Sequence, residues 1–317
     1  MKKYILLAII LLLVAFGFYL HKPPIDLDTL KAQYTDEHSH FIELIGLDVH
    51  YKKKGQGMPV ILIHGTSASL NTWEPWEEEL SKKYTTYSID MQGGGLTTPP
   101  SDNIYSIASY LNLIDAFVLE LGIDSFYLVG NSLGGHTAWA YAANSPLADR
   151  VKKLVLVDPS GFIDPKREKP MVFQMAQFDF LLNNSEKLNT SPFVEKSLKE
   201  VFYNEELVTP ERIKQYDDLG LRPGNREAFF LKVRQMEYGT TEDLEKISCP
   251  TLILWGENDE WIPLSLAEIF RTYIPNNELI VYPECGHIPM EEKAEESAED
   301  VMEFFLRERT PQTKALL

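Results

Sequence analysis

The sequence predicts an α/β fold: a mostly parallel central sheet flanked by helices, with a helical cap insertion and an N-terminal transmembrane helix. Three observations carry this. The short apolar runs PVILIHG (59–65), SFYLVG (125–130), VKKLVLVDP (151–159), PTLILWG (250–256) and NELIVYP (277–283) lack polar alternation, as strands buried on both faces do. Segments of helical period separate them, the longest being IYSIASYLNLIDAFVLELG (104–122), which a glycine stops. Strands alternating with helices form a parallel sheet covered on both sides. The rhythm breaks once, between about Ile163 and Glu245, where amphipathic pieces such as PMVFQMAQFDFLLN and REAFFLKVRQM replace strands. The expected organisation is therefore a core of residues 41–162 and 246–309 with a cap of residues 163–245.

At the N-terminus, Lys2-Lys3 precede YILLAIILLLVAFGFYL (4–20), an uncharged run at the short end of what crosses a bilayer as a helix. A cleaved signal peptide shares the basic start, and Ala15-Phe16-Gly17 offers a small-x-small site. Against cleavage, the apolar run continues through Phe18-Tyr19-Leu20, and Tyr4 and Tyr19 stand where interfacial aromatics belong. Residues 1–22 are thus expected to be an anchor with a cytoplasmic N-terminus and the catalytic domain periplasmic or extracellular. Secretion after cleavage is the alternative, and His21-Lys22 just past the run weaken the charge asymmetry. HKPPIDLDTLKAQYTDEHSH then reads as a tether, spanning 23–40, with at most one helical turn. FIELIGLDVHYKKKG (41–55) reads as two short strands turning at Gly46-Leu47-Asp48, EPWEEELSKK as a helix and TTYSID (85–90) as a strand.

The chain of 317 residues is 44% apolar and 24% charged, an ordinary globular balance. A formal net charge of −17, with no Lys/Arg cluster, excludes nucleic acid as a partner, because phosphates need a concentrated positive surface. Cys249 and Cys285 have neither CxxC nor zinc-ligand spacing, so no structural metal is expected, and they pair only if the fold brings them together.

The stretch LVGNSLGGHT (128–137) sets Ser132 between glycines where a strand gives way to a helix. At the carboxyl end of a parallel strand this is the ligand-binding edge of the sheet. A sharp turn there forces its central residue into strained backbone and needs small neighbours two residues away on each side. The helix that follows aims free N–H groups and its positive dipole end at the same point, which suits a forming oxyanion. GxSxG alone occurs by chance in about one chain in ten of this length, so the strand-turn-helix context carries the reading.

A serine needs a base, and the base needs a partner to fix its tautomer. Among the seven histidines, His38, His40 and His50 fall in the tether or first hairpin and are expected on the surface, and His21 flanks the membrane run. His136 lies on the helix behind the serine, where packing or capping is its expected role. His64 ends a strand close enough to line the site, in a position that usually serves structural hydrogen bonding. His287, in YPECGHIPMEE after the last strand, sits above the sheet and is the candidate base. Asp259 in WGENDEWIP, with Glu257 and Glu260 as its neighbours, is the candidate acid; Asp158, ending VLVDP, is the fallback.

Taken together, HGT (64–66), DMQGGGLT (90–97), GNSLGG (130–135), GENDEWIP (256–263) and GHIPMEE (286–292) resemble the α/β-hydrolase superfamily over roughly residues 40–308. HGTSASLNTW and DMQGGGLT are similar to its membrane-associated bacterial lipases and esterases, and GNSLGG also to its carbon–carbon bond hydrolases. The order Ser132, Asp259, His287 is that superfamily's triad order. The resemblance implies oxyanion donors at the backbone N–H of Leu133 and of Thr66, with Ser67 as the alternative to Thr66. It implies a cap that roofs the serine, here with Met171, Phe173, Met175, Phe178 and Phe180, though many such residues simply pack the cap onto the sheet. Substrate contacts are expected at His64, Asn131, Phe173 and Phe178. Gly94, where a histidine or aromatic is common, and Ala294, where a proline is frequent, depart from the pattern outside the triad.

The expected function is a membrane-anchored hydrolase of carboxylic esters of apolar or fatty acids, acting through an acyl-enzyme without metal or organic cofactor. Its partners would be a small-molecule ester or lipid substrate and the bilayer through residues 4–20; the sequence names no protein partner. Activity should rise through about pH 6 to 8 if an ordinary histidine is the base. The alternatives are carbon–carbon bond or amide hydrolysis on the same triad, or a non-catalytic ligand receptor. Arg222, Arg226 and Arg234 are candidate readers of a substrate carboxylate, with solvated helix-face positions as the simpler expectation.

Overall fold

The computed structural model describes residues 21–307. The apolar run at 4–20, and the anchor or signal expected of it, lie outside the described residues. Among the described residues no helix is long and apolar enough to cross a membrane.

The first described helix, α1 (Leu27–Tyr34), is longer than the single turn expected of the tether, because Asp26 caps it: Oδ1 accepts the Thr29 N–H at 2.9 Å. A hairpin follows, β1 (Ser39–Leu44) and β2 (Leu47–Gly55), turning at Ile45-Gly46, slightly earlier than expected. Then come β3 (Pro59–Ile63), α2 (Glu74–Leu80), β4 (Thr85–Ile89), α3 (Ile107–Glu120), β5 (Phe126–Asn131), α4 (Leu133–Asn144) and β6 (Val151–Val157). Between β6 and the next strand lie only helices: α5 (Met171–Met175), α6 (Asp179–Asn183), α7 (Ser191–Val201), α8 (Pro210–Gly220), α9 (Asn225–Arg234) and α10 (Thr241–Glu245), with short 3₁₀ turns among them. The chain closes with β7 (Thr251–Gly256), α11 (Ala267–Tyr273), β8 (Asn277–Tyr282), α12 (Pro289–Glu292) and α13 (Ala294–Leu306).

The strands form one sheet in the order β1-β2-β4-β3-β5-β6-β7-β8. β1 and β2 are antiparallel to their neighbours, and from β4 to β8 all pairings are parallel. The uninterrupted apolar runs have their cause in the packing. Ile61, Ile63, Leu128, Leu154, Leu156 and Ile253 face one core with α3, α4 and α11. Their alternates Val60, Leu62, Val129, Val155, Leu252 and Leu254 face a second core with Trp73, Trp76 and α13. The central strands β3, β5, β6 and β7 thus carry a hydrophobic layer on each face, whereas the last run, NELIVYP, expected to be buried on both faces, forms the edge strand β8 and is only partly buried.

The tether is part of the packed structure. The Lys22 N–H donates to Lys187 O at 3.0 Å and the Ile25 N–H to Leu221 O at 2.9 Å, so residues 22–25 lie along the cap. Arg226 of α9 ties the two together: Nη1 donates to Lys22 O at 2.7 Å and to Leu188 O at 2.6 Å, and Nη2 donates to Glu186 O. The expectation of solvated arginines is therefore corrected. Arg226 and Arg222 are buried, and a buried guanidinium needs such acceptors to offset its lost hydration. Arg234 is engaged too, through Nε to Ala176 O at 2.8 Å and Nη1 to Asp179 at 2.8 Å. Cys249 and Cys285 are buried thiols and are not joined in a disulfide.

Candidate active site

The loops after β3, β5, β6, β7 and β8 meet at the carboxyl edge of the sheet, and every candidate catalytic residue is on one of them. Ser132 follows β5 with φ 55° and ψ −118°, a strained conformation that the packing of the turn enforces. Its backbone is fixed on both sides, the N–H donating to Val157 O at 3.1 Å and the carbonyl accepting from His136 N–H at 2.9 Å. The flanking glycines are required by contact. A Cβ at Gly130 would meet Gly134 O at 2.1 Å, and one at Gly134 would meet Ile63 O at 2.1 Å. Ser132 and Leu133 are half-buried, so the hydroxyl and the first N–H groups of α4 can be reached. Those N–H groups have no acceptor inside the helix.

His287 and Asp259 are both buried and joined by a hydrogen bond of 2.7 Å between Nδ1 and Oδ2. The other carboxylate oxygen of Asp259 accepts from the Trp261 N–H at 2.7 Å and the Ile262 N–H at 2.9 Å, which fixes its plane. With Nδ1 facing a carboxylate, Nε2 is the ring nitrogen left for a proton acceptor. Asn131 brings this loop to the serine: its Nδ2 donates to His287 O at 3.1 Å and to Val157 O at 3.2 Å. Asn131, expected at the substrate, is thus a buried brace between β5, β6 and the histidine loop.

The other expected contacts divide. His64 is buried, with Nδ1–H donating to Gly65 O at 2.7 Å and Nε2 accepting from the Met91 N–H at 3.0 Å. Both nitrogens serve the backbone, so the expectation of a substrate contact is corrected. Burial holds its pKa down at about 4, against the pull of Asp90, and the neutral ring keeps that tautomer. Phe173 packs edge-on against Trp261 with ring centres 5.2 Å apart, and Trp261 lies 5.9 Å from the His287 ring. Phe178 is 62% exposed, and Met171 and Phe180 are exposed with it, so these three form no closed roof. Thr66 is half-buried in the loop after β3, the position expected of a second donor.

Three further features escaped the sequence reading. His50, expected on the surface, is buried and bonds Asp90 at 2.7 Å through Nδ1. Glu292 accepts the N–H groups of Gly286 at 2.6 Å and Asn204 at 2.6 Å, and Glu291 binds Thr72 Oγ1 at 2.5 Å and Tyr216 OH at 2.6 Å. With the His287 N–H donating to Val201 O at 2.8 Å, these acids clamp the histidine loop to the cap. The pair after HIPM in GHIPMEE was their only local sign.

Lys232 of α9 is also buried, and its Nζ donates to Gly93 O at 2.8 Å. Burial pushes its pKa down to about 7, with nearby Asp90 opposing. An unfolded chain keeps a lysine protonated to about 10.4. Between these values the unfolded state binds the extra proton, so this residue's effect on stability improves as pH rises from 7 toward 10. Lys232→Met is therefore expected to melt higher relative to wild type at pH 6.5 than at pH 9.5. Paired thermal melts check this, and an equal difference at both pH values refutes it.

Residues 58–294 match the family described as alpha/beta hydrolase fold. The chain belongs to the α/β-hydrolase family. Among curated relatives, monoacylglycerol lipase ABHD6 of Mus musculus is 28% identical over 276 residues, covering 83% of this chain and 80% of that protein. The 2-hydroxy-6-oxononadienedioate/2-hydroxy-6-oxononatrienedioate hydrolase of Paraburkholderia phymatum is 30% identical over 279 residues, covering 81% and 91%. Among solved structures, the meta-cleavage product hydrolase of Pseudomonas fluorescens IP01 aligns with a TM-score of 0.74 at 28% identity, covering 84% of this chain and 97% of that one. A membrane phospholipase A described as a novel bacterial virulence factor aligns with a TM-score of 0.74 at 26% identity, covering 96% and 98%. As a member, the chain has the family's hydrolase fold with its mostly parallel sheet.

Proposed function

We propose that this α/β-hydrolase is a membrane-anchored serine hydrolase that cleaves carboxylic esters of apolar or fatty acids. The observation that carries the reading is the 2.7 Å bond between His287 and Asp259 on a loop braced to the Ser132 turn by Asn131. Ser132 Oγ attacks the ester carbonyl carbon while His287 Nε2 takes its proton. The oxyanion rests on the N–H groups of Leu133 and Thr66. The proton passes from His287 to the leaving alkoxide, and Asp259 stabilises the imidazolium in between. Water, deprotonated by the same ring, then attacks the acyl-enzyme and releases acid and serine.

Two considerations favour esters over the carbon–carbon chemistry named for some relatives. Of the three arginines that would read a substrate carboxylate, Arg226 and Arg234 are engaged with backbone carbonyls and Asp179, and Arg222 is buried and donates to Pro223 O at 3.0 Å. The wall beside His287 is made of Trp261 and Phe173, which suits an acyl chain. The membrane part of the proposal rests on the apolar run 4–20 and on the likeness to a membrane phospholipase A over 96% of this chain.

The test is a panel of p-nitrophenyl esters from acetate to dodecanoate run beside amide and diketone substrates. The expected result is a kcat/KM that climbs with acyl length and negligible turnover of the others. A diketone preferred over every ester overturns the ester reading. Full-length protein should remain with membranes after a carbonate wash, and its release would remove the anchor.

A further inference from the structure

We propose that Asp158 is a second carboxyl of the site, a positioning residue that holds Asp259 against His287 and can replace it as the partner of the imidazole. The inference rests on the triad reading above.

Asp158 follows β6 directly, where the strand ends at the edge of the sheet, and its backbone is strained, with φ 42°. No turn glycine relieves this position; the conformation is held by the Asp158 N–H donating to Leu254 O at 2.9 Å. Strain of this kind persists where the surroundings fix it, and here it buries a carboxyl completely. Oδ1 accepts the Gly256 N–H at 2.9 Å. Among the described residues no N–H or hydroxyl donor reaches Oδ2, and its hydrogen-bonding neighbour is the carboxyl of Asp259.

The location explains why such a group is tolerated. One oxygen of Asp158, one of Asp259 and one His287 ring nitrogen lie within 4.8 Å of one another. Two carboxylates this close in a buried space do not both ionise. Burial first, and then the charge of Asp259, push the pKa of Asp158 well above the usual carboxylate range. Glu292 and Cys285 are the other titratable groups around it. Of the two carboxyls, Asp158 is the one whose surroundings favour the protonated form. Asp259, three residues beyond β7, is steadied through Oδ1 by two backbone N–H groups, and the Asp158 carboxyl lies beside it within 4.8 Å.

Remove the charge at 259 and the roles change. With Asn at that position the charge of Asp259 no longer opposes ionisation of Asp158, and the imidazolium that forms during turnover acts against the burial that still does. Asp158 gives up its proton to solvent and becomes the counter-ion.

Three variants test this against an ester substrate: Asp259→Asn, Asp158→Asn, and the double change. An Asp→Asn change in a triad with no second carboxylate costs about 10⁴-fold in kcat. The expected loss for Asp259→Asn is only about 10²-fold, with the double change restoring the full loss of about 10⁴-fold at unchanged KM. The acid limb of the kcat profile should also move to higher pH in Asp259→Asn, an effect a merely structural Asp158 would not produce. Asp158→Asn keeps an acceptor for the Gly256 N–H, and Asp158→Ser serves as the second variant; thermal melts of each separate unfolding from lost turnover. An Asp259→Asn enzyme as slow as the double variant, with an unshifted acid limb, overturns the proposal and leaves the triad reading intact. Wild-type turnover in both Asp259→Asn and the double variant would instead remove Asp259 from the triad.

Discussion

Ser132→Ala is expected to lower kcat on the preferred ester by about 10⁵–10⁶-fold and to abolish labelling by a fluorophosphonate, with the melting temperature close to wild type. The effect is large because on the proposed mechanism the hydroxyl is the nucleophile, and without it no acyl-enzyme forms. The fold should survive because Ser132 is held through its backbone, by Val157 O and the His136 N–H, and alanine keeps both bonds. Alanine also leaves the positive φ of 55° in place at no greater cost than serine. Intact-protein mass spectrometry after fluorophosphonate treatment gives a direct count of modified chains. Undiminished turnover or labelling in the variant would place the nucleophile elsewhere and end the serine-hydrolase proposal.

What the sequence disclosed and what it withheld follow from the range of the interactions. The placement of Ser132, Asp259 and His287 at one edge was legible because each follows a strand whose apolar run is itself a local signal, and parallel strands put their carboxyl ends on one edge. The strands were legible for the same reason, since burial on both faces leaves no alternation to misread. Arg226 was not legible: whether it is solvated depends on Lys22, 204 residues away, and on the carbonyl groups of a 3₁₀ turn that no residue pattern marks. The burial of His50 was not legible because its partner Asp90 lies 40 residues on, just past the end of β4, and the β2–β4 pairing brings them together. The cap aromatics illustrate a different limit. Amphipathic pieces announce that helices form, but Phe173 against Trp261 and Phe178 in solvent have the same local signature. Asn131 and Glu292 are braces whose acceptors and donors are backbone groups, and backbone groups carry no residue code at all.

Gly256→Ala is expected to lower the melting temperature by about 5–10 °C and the ester kcat/KM by more than about 10²-fold, the larger part of the second effect being misplacement of His287. Gly256 is the last residue of β7, and a Cβ there would lie 1.8 Å from Gly286 O and 2.6 Å from Cys285 O. Both are backbone atoms, so no side chain can swing aside. The loop they belong to has nowhere to retreat. A Cβ at Gly286 would itself meet Val201 O at 2.2 Å, the Gly286 N–H is held by Glu292, and the His287 N–H by Val201 O. Overpacking of this kind costs about 1–3 kcal/mol and more where relaxation is blocked. The chain must therefore either push the histidine loop off the sheet edge or tilt the end of β7, and the second choice carries Asp259 with it. Gly220→Ala is the control. Gly220 ends α8 with nothing within 4 Å of its ideal Cβ, so the change should be neutral or stabilise by about 0.5 kcal/mol, with turnover unaffected. If Gly256→Ala melts with wild type and keeps its activity, the β7 end and the histidine loop are not in rigid contact, and the 2.7 Å bond between Asp259 and His287 is then held by something other than this crossing.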